Sequence, residues 1–253
     1  YNYYMKKSIK TFLKHPTKDS SNRSANPAVI RASTILFNSM QELYQHEKKI
    51  KKHQKVSHYS YGRYGSSTTI ELENMLKELE QAHHIFLTGT GFGGVALALM
   101  SVCRPGDEIL VSDNVYGPTK EITEHLVKEF NINSTFYDPD NFEDLKNKIT
   151  KKTKMIIVEN PGSNTFEFQD LSKIVNLAKR KNILTFLDNT WGTPLYLKPL
   201  TIGFDMSFTS ATKYFSGHAD AIGRSLAVNK KVFKKVMFFY KLSGYRLSAD
   251  EAY

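Results

Sequence analysis

Met155-Ile156-Ile157-Val158-Glu159 is followed by the turn residues Asn160-Pro161-Gly162-Ser163, then by Leu171-Ser172-Lys173-Ile174-Val175-Asn176-Leu177-Ala178-Lys179-Arg180-Lys181, then by Ile183-Leu184-Thr185-Phe186-Leu187-Asp188. The two short apolar runs read as buried strands. Between them, Leu171, Ile174, Val175, Leu177 and Ala178 recur at helical spacing, so 171–181 is predicted as an amphipathic helix. Working outward, the same alternation repeats. Strands are expected at 85–87, 108–111 and 135–137, with helices at 91–103, 118–130 and 142–149. Further helices are expected at 39–52 and at 68–81, and 208–212 is strand-like. Strands alternating with helices point to an α/β sheet covered by helices on both faces.

Composition agrees with a folded chain. Its 253 residues suffice for a sizeable core, and 24% charged and 12% aromatic residues exclude wholesale disorder. A single Cys, Cys103, excludes an internal disulfide framework and a Cys-based zinc cluster, and points to a reducing compartment. No apolar run approaches the ~20 residues of a membrane helix, and residues 1–14 lack the apolar centre of a secretory signal. A cytoplasmic protein with no membrane partner is expected. The net charge of +10 is local: residues 1–58 hold 12 Lys/Arg against 3 Asp/Glu, densest at 48–55. Without interleaved aromatics this run reads as a solvated face, and no nucleic-acid partner is expected.

In such a sheet, ligands collect at the carboxyl ends of the strands. Lys213 follows the strand-like run and Thr212, where an amine could act as a nucleophile forming a Schiff base. Asp188 ends an apolar strand, where a carboxylate is costly to bury without a cation. A pyridinium nitrogen would be such a cation; a turn or helix-cap role is the plainer alternative. The 25 residues between Asp188 and Lys213 leave room for a loop and one further strand, so both side chains could reach one ring. Thr88-Gly89-Thr90-Gly91-Phe92-Gly93-Gly94 opens a predicted helix, where glycine backbone and helix N-terminus suit a phosphate. Ser210 and Thr212 could add hydroxyl donors, and Tyr116 could stack on an aromatic ring.

Tyr61-Gly62-Arg63, the Gly91 loop, Tyr116, Asp188-Asn189-Thr190-Trp191 and Ser210-Ala211-Thr212-Lys213-Tyr214 occur in the order seen in Cys/Met-metabolism pyridoxal-phosphate enzymes. From Tyr59 onward the chain resembles that family. Glu159-Asn160-Pro161-Gly162-Ser163, Glu167, Asp170 and Trp191 resemble its β-lyase branch. The resemblance implies a three-layer αβα fold with a mostly parallel sheet, of the aspartate-aminotransferase type. It implies pyridoxal 5′-phosphate as cofactor, with Lys213 as the Schiff-base lysine, Asp188 as partner of the ring nitrogen and Tyr116 as stacking residue and candidate proton shuttle. The phosphate would be held by Gly91 and Phe92 N–H groups and by Ser210 and Thr212. Tyr61 and Arg63 would reach the phosphate in a neighbouring subunit, which implies a homo-oligomer, dimer or tetramer, with shared sites.

The implied reaction is carbon–sulfur β-elimination from L-cystathionine to homocysteine, pyruvate and ammonia, a step of methionine biosynthesis. The alternatives are another reaction of the family (γ-synthase, γ-lyase or sulfhydrylase) or a cofactor-binding, non-catalytic fragment. Expected organisation is an arm at 1–65, the cofactor domain at 66–243, and at 244–253 the start of a connecting helix to a smaller C-terminal domain that this sequence lacks. On that reading the chain is a fragment and a poor enzyme alone. Two residues depart from the family pattern: Phe92, where Ala or Met is usual, and Arg224, where a small residue is expected.

Overall fold

A seven-stranded sheet organises the computed structural model, which describes residues 26–52 and 56–253. In chain order the strands are β1 (His84–Thr88), β2 (Glu108–Ser112), β3 (Asn133–Tyr137), β4 (Thr153–Glu159), β5 (Leu184–Asp188), β6 (Met206–Ser210) and β7 (Arg224–Val228). Their spatial order is β1-β7-β6-β5-β4-β2-β3. All pairs from β6 through β3 are parallel, while β7 runs antiparallel to both β1 and β6. The expected strands are present with small shifts. The last of them occupies Met206–Ser210 rather than 208–212, because the chain turns at 211–216, where Ser216 N–H bonds to Ala211 O. β7 is additional to the strands read from the sequence.

The chain divides into two units, residues up to 75 with 248–253, and Leu76–Leu247. In the first, helix α1 (Met40–Lys51) starts at Ser39, whose hydroxyl accepts from Glu42 N–H at 3.1 Å. It buries no residue, and Lys48, Lys49 and Lys51 fill its last turn, where cations suit the negative end of the helix dipole. That accounts locally for much of the lysine run; residues 53–55 and the basic segment 1–25 lie outside the described residues. Thr34 bridges to Tyr61, Gly62 N–H bonds to Ser33 O at 2.8 Å, and Arg31 pairs with Asp250.

Helices follow the strands much as expected: α2 (Ser67–Glu80), α3 (Gly91–Val102), α4 (117–129, with a π turn at Ile122–Leu126), α5 (Phe142–Lys148), α6 (Leu171–Lys181) and α7 (Lys230–Ser243). Within Leu76–Leu247 the period-two alternation of each strand divides its side chains between two cores. Ile109, Val111, Met155 and Ile157 pack with Leu99 of α3, Ile122 of α4 and Val236 of α7. Leu110, Ile156 and Val158 pack with Leu145 of α5 and Ile174, Val175 and Ala178 of α6. Helices therefore cover both faces, giving three layers. At Gly94 a Cβ would lie 2.4 Å from the Phe208 ring, so α3 can sit against β6 only with glycine at that point.

One buried acid sets a pH dependence. Glu80 is fully buried, with its carboxyl oxygens 3.4 Å from the hydroxyls of Ser207 and Thr209. Burial pushes its pKa up to about 7, against the opposing hydrogen bonds and the charge of Lys198. Between the ordinary carboxylate range and that value, the folded chain holds a proton the unfolded chain has released. Stability therefore falls as pH rises through this window, and the full cost is present above it. Glu80→Gln is expected to raise unfolding free energy by up to about 3 kcal/mol at pH ~8 and by little at pH ~4.5. Urea unfolding at the two pH values checks this; the same change at both would contradict it.

Candidate active site

The strand ends converge on one cleft. Glu159 ends β4 and Asp188 ends β5, and the two are register partners. Ser210 ends β6, and its register partner Arg224 begins the antiparallel β7. Gly91 opens α3, and Tyr116 precedes α4. With Phe92, Val95, Thr190, Phe208 and Lys213, these residues line a cleft open to solvent.

Lys213 stands in the turn after β6, its N–H bonded to Ser210 O at 3.2 Å. Its Nζ lies 5.1 Å from the centroid of the Tyr116 ring. Tyr116 is itself anchored by its backbone, whose N–H donates to Glu159 Oε2 at 2.7 Å. That bond ties the loop after β2 to the end of β4. Asp188 is 7% exposed, and its Oδ1 accepts from Thr190 N–H at 2.9 Å. Among the described residues no lysine or arginine forms an ion pair with it. Burial raises its pKa, while Thr190 and the charges of Lys213 and Arg224 hold it back. Glu159 is raised as well, by burial first and then by the Asp188 charge beside it.

The cleft also carries donors. Thr90 caps α3, its hydroxyl accepting from Gly93 N–H at 3.0 Å. The N–H groups of Gly91 and Phe92 are first-turn donors with no acceptor inside the helix. Ser210 Oγ and Arg224 Nε are buried without a hydrogen-bond partner. Thr212 Oγ1 is already engaged, accepting from Gly223 N–H at 3.1 Å and from the Arg224 guanidinium. The cleft thus holds a buried carboxylate without an ion-pair partner and, besides it, buried donors without an acceptor. Pyridoxal phosphate has the complementary pattern, a protonatable ring nitrogen and a phosphate dianion at opposite ends, and the residues fit it.

Seven of the nine residues singled out in the sequence lie together at this edge: Lys213, Tyr116, Asp188, Gly91, Phe92, Ser210 and Thr212. Tyr61 and Arg63 belong to the other unit, where Arg63 lies 5.4 Å from the Tyr61 ring centroid and 5.2 Å from that of Tyr64. Two cleft residues were not given site roles from the sequence. Glu159 ends an apolar strand as Asp188 does, so the same signal was present. Arg224 stood out only as a departure from a pattern. Trp191 lies at 5.5 Å from Phe166 and 6.3 Å from Tyr214, ring to ring, an aromatic group next to Lys213 in the chain. Among the described residues no helix is long and apolar enough to cross a membrane.

Comparison with known proteins agrees with this geometry. Residues 10–253 match the family described as Cys/Met metabolism PLP-dependent enzyme. The chain is 32% identical to cystathionine β-lyase of Bordetella avium, over 98% of its own length and 63% of that protein. It is 33% identical to L-methionine γ-lyase of Fusobacterium nucleatum subsp. polymorphum, over 77% of its length and 50% of that protein. The fold superposes on the crystal structure of cystathionine γ-lyase from Lactobacillus plantarum complexed with L-serine, with TM-score 0.86 and 26% identity. That match covers 97% of this chain and 61% of the other. The chain therefore spans less than two-thirds of each of these relatives.

Proposed function

The chain belongs to the Cys/Met-metabolism PLP-dependent enzymes, and from that premise we propose that it carries the cofactor site of a carbon–sulfur β-lyase acting on L-cystathionine. The observation that carries the reading is the meeting of Lys213, Tyr116 and the ion-pair-free Asp188 in one cleft. The β-lyase of Bordetella avium, similar over nearly the whole chain, supports β- over γ-cleavage, as do Trp191 and the Pro161-Gly162-Ser163 turn.

Bound pyridoxal phosphate supplies an electron-deficient ring that takes up the negative charge left when Cα of an amino acid loses its proton. Asp188 holds the ring nitrogen protonated, a role its burial strengthens because a charged pair attracts more where water is excluded. Tyr116, whose ring centroid is 5.1 Å from Lys213 Nζ, would stack on the cofactor ring. Lys213 would be the residue that holds the cofactor covalently, and its Nζ, as a free amine, would be the base that takes the Cα proton. As the Cβ–S bond breaks, the pair of electrons leaves with sulfur, and the ammonium of Lys213 or the Tyr116 hydroxyl returns a proton to it. Overall, cystathionine and water give homocysteine, pyruvate and ammonia. The Gly91 and Phe92 N–H groups and the Ser210 hydroxyl would hold the phosphate, while the Thr212 hydroxyl is engaged with Gly223 and Arg224.

We assign residues 1–65 to an arm and 66–243 to the cofactor domain. In the arm, Tyr61 and Arg63 are offered to the phosphate of a second copy, so the working form is a homo-oligomer. The assignment of reaction is tested by product analysis on L-cystathionine. Pyruvate is expected in large excess over 2-oxobutyrate; 2-oxobutyrate as the main keto acid would replace β- with γ-cleavage.

A further inference from the structure

Arg224 is one of the two residues that depart from the family pattern, and its surroundings are specific. Because β7 enters between β1 and β6 in the opposite direction, its first residue falls at the edge where the parallel strands end, opposite both Ser210 and Thr88. From there the guanidinium lies against the start of α3. A Cβ at Gly91 would be 3.0 Å from Arg224 Nε and 3.1 Å from Nη2. The Nη1 corner is held by Thr212 Oγ1 and by Gly223 O at 2.7 Å, which fixes the fork with Nε and Nη2 beside Gly91.

This is a costly place for a cation. The N-terminus of a helix carries partial positive charge, so a guanidinium there is repelled. No carboxylate forms an ion pair with it among the described residues. Its Nε is buried and unpartnered, and so is the hydroxyl of Ser210, a residue only 4% exposed. Arg224 Nε, Ser210 Oγ and the N–H groups of Gly91 and Phe92 thus form a cluster of donors without an acceptor. Such a set fits a polyanion with several oxygens better than a singly charged carboxylate.

We propose that Arg224 is a ligand of the cofactor's phosphate, supplied by the same unit that holds Lys213 and Asp188. The phosphate charge is then met inside one chain, whether or not Arg63 of another copy also reaches it. This deepens the cofactor reading of the cleft and is independent of which carbon–sulfur bond is cut.

The test uses binding rather than turnover. Trp191 is the only tryptophan, so its fluorescence reports binding near Lys213 without ambiguity. Pyridoxal 5′-phosphate, pyridoxal without its phosphate, and inorganic phosphate as competitor are titrated into wild type, Arg224→Gln and Arg224→Lys. Arg224→Gln is expected to weaken pyridoxal phosphate about ten-fold or more while changing pyridoxal by less than about two-fold. Arg224→Lys should fall between, since it keeps charge but loses the fork. Cofactor-free Arg224→Gln should unfold at the same or a higher temperature, because a half-buried cation beside a helix N-terminus is gone. Unchanged or tighter pyridoxal phosphate binding by Arg224→Gln would overturn the proposal and make Arg224 an obstruction. Equal weakening of both ligands would also overturn it. So would a raised KM for the amino acid with unaltered cofactor affinity, which would assign Arg224 to the substrate carboxylate. A γ-cleavage product pattern would sink the reaction assignment while leaving these affinities untouched.

Discussion

Lys213→Ala is expected to lower carbon–sulfur lyase turnover by about 10³-fold or more, because one substitution removes both the tether and the base. Stability should barely change. The side chain is exposed, and its contact with Tyr116, at 5.1 Å from the ring centroid, is a surface cation–π pair worth ~0.5–1 kcal/mol. Lys213→Arg sharpens the test. It keeps a cation beside Tyr116, Glu159 and Asp188 but has no amine that deprotonates or adds to a carbonyl. If the amine acts chemically, Arg fails as Ala does; if only its charge matters, Arg retains most of the activity. A small primary amine added to Lys213→Ala should restore part of the turnover. Borohydride reduction and peptide mapping of the loaded wild type should place the pyridoxyl group on the peptide containing Lys213. Retention of activity within ten-fold in Lys213→Ala, or the label elsewhere, contradicts the assignment.

How much of this was legible in the sequence depended on whether the signal was local. β4, α6 and β5 were readable because each carries its own periodicity, and Asp188 because it breaks an apolar run at its end. Gly91 and Phe92 were readable because glycine-rich turns before helices have a local composition. β7 was not. Arg224-Ser225-Leu226-Ala227-Val228 is short, begins with a charge, and becomes a strand only because β1 and β6 leave a gap that it fills from both sides. Arg224 therefore lacked a visible location, although it meets Gly91, 133 positions earlier in the chain. Glu159 shows the other failure. Its position after Met155–Val158 matched that of Asp188, but a single chain does not announce that two such carboxylates are register neighbours. Tyr61 and Arg63 are a third case, since the role proposed for them requires a second copy.

Asp188→Asn should separate folding from function with opposite signs. In the cofactor-free chain, Asp188 is buried without an ion-pair partner, and burial holds its pKa above the ordinary carboxylate value. The folded chain then keeps a proton that the unfolded chain releases, so this residue's contribution to stability declines as pH rises above the unfolded value. Asparagine keeps the shape and removes the charge. Cofactor-free Asp188→Asn is therefore expected to unfold at a higher temperature than wild type at neutral pH, with the difference shrinking toward pH ~4. On the proposed role, bound pyridoxal phosphate would give the same buried carboxylate a cationic partner. Removing one member of a buried charged pair costs about 3–5 kcal/mol, equivalent to roughly 10²- to 10⁴-fold in rate if it is felt in the transition state. The variant should show that loss in kcat, with a smaller thermal shift on cofactor addition than wild type, as binding linkage requires. Glu159 gives an internal control, because its raised pKa depends partly on the Asp188 charge and should fall in Asp188→Asn. A variant that is destabilised without cofactor yet retains wild-type kcat would make Asp188 a turn residue, its side chain serving only the Thr190 N–H. An Asp188→Asn protein that is more stable empty and less active loaded has no such explanation, because a turn residue has no reason to cost stability before the ligand arrives.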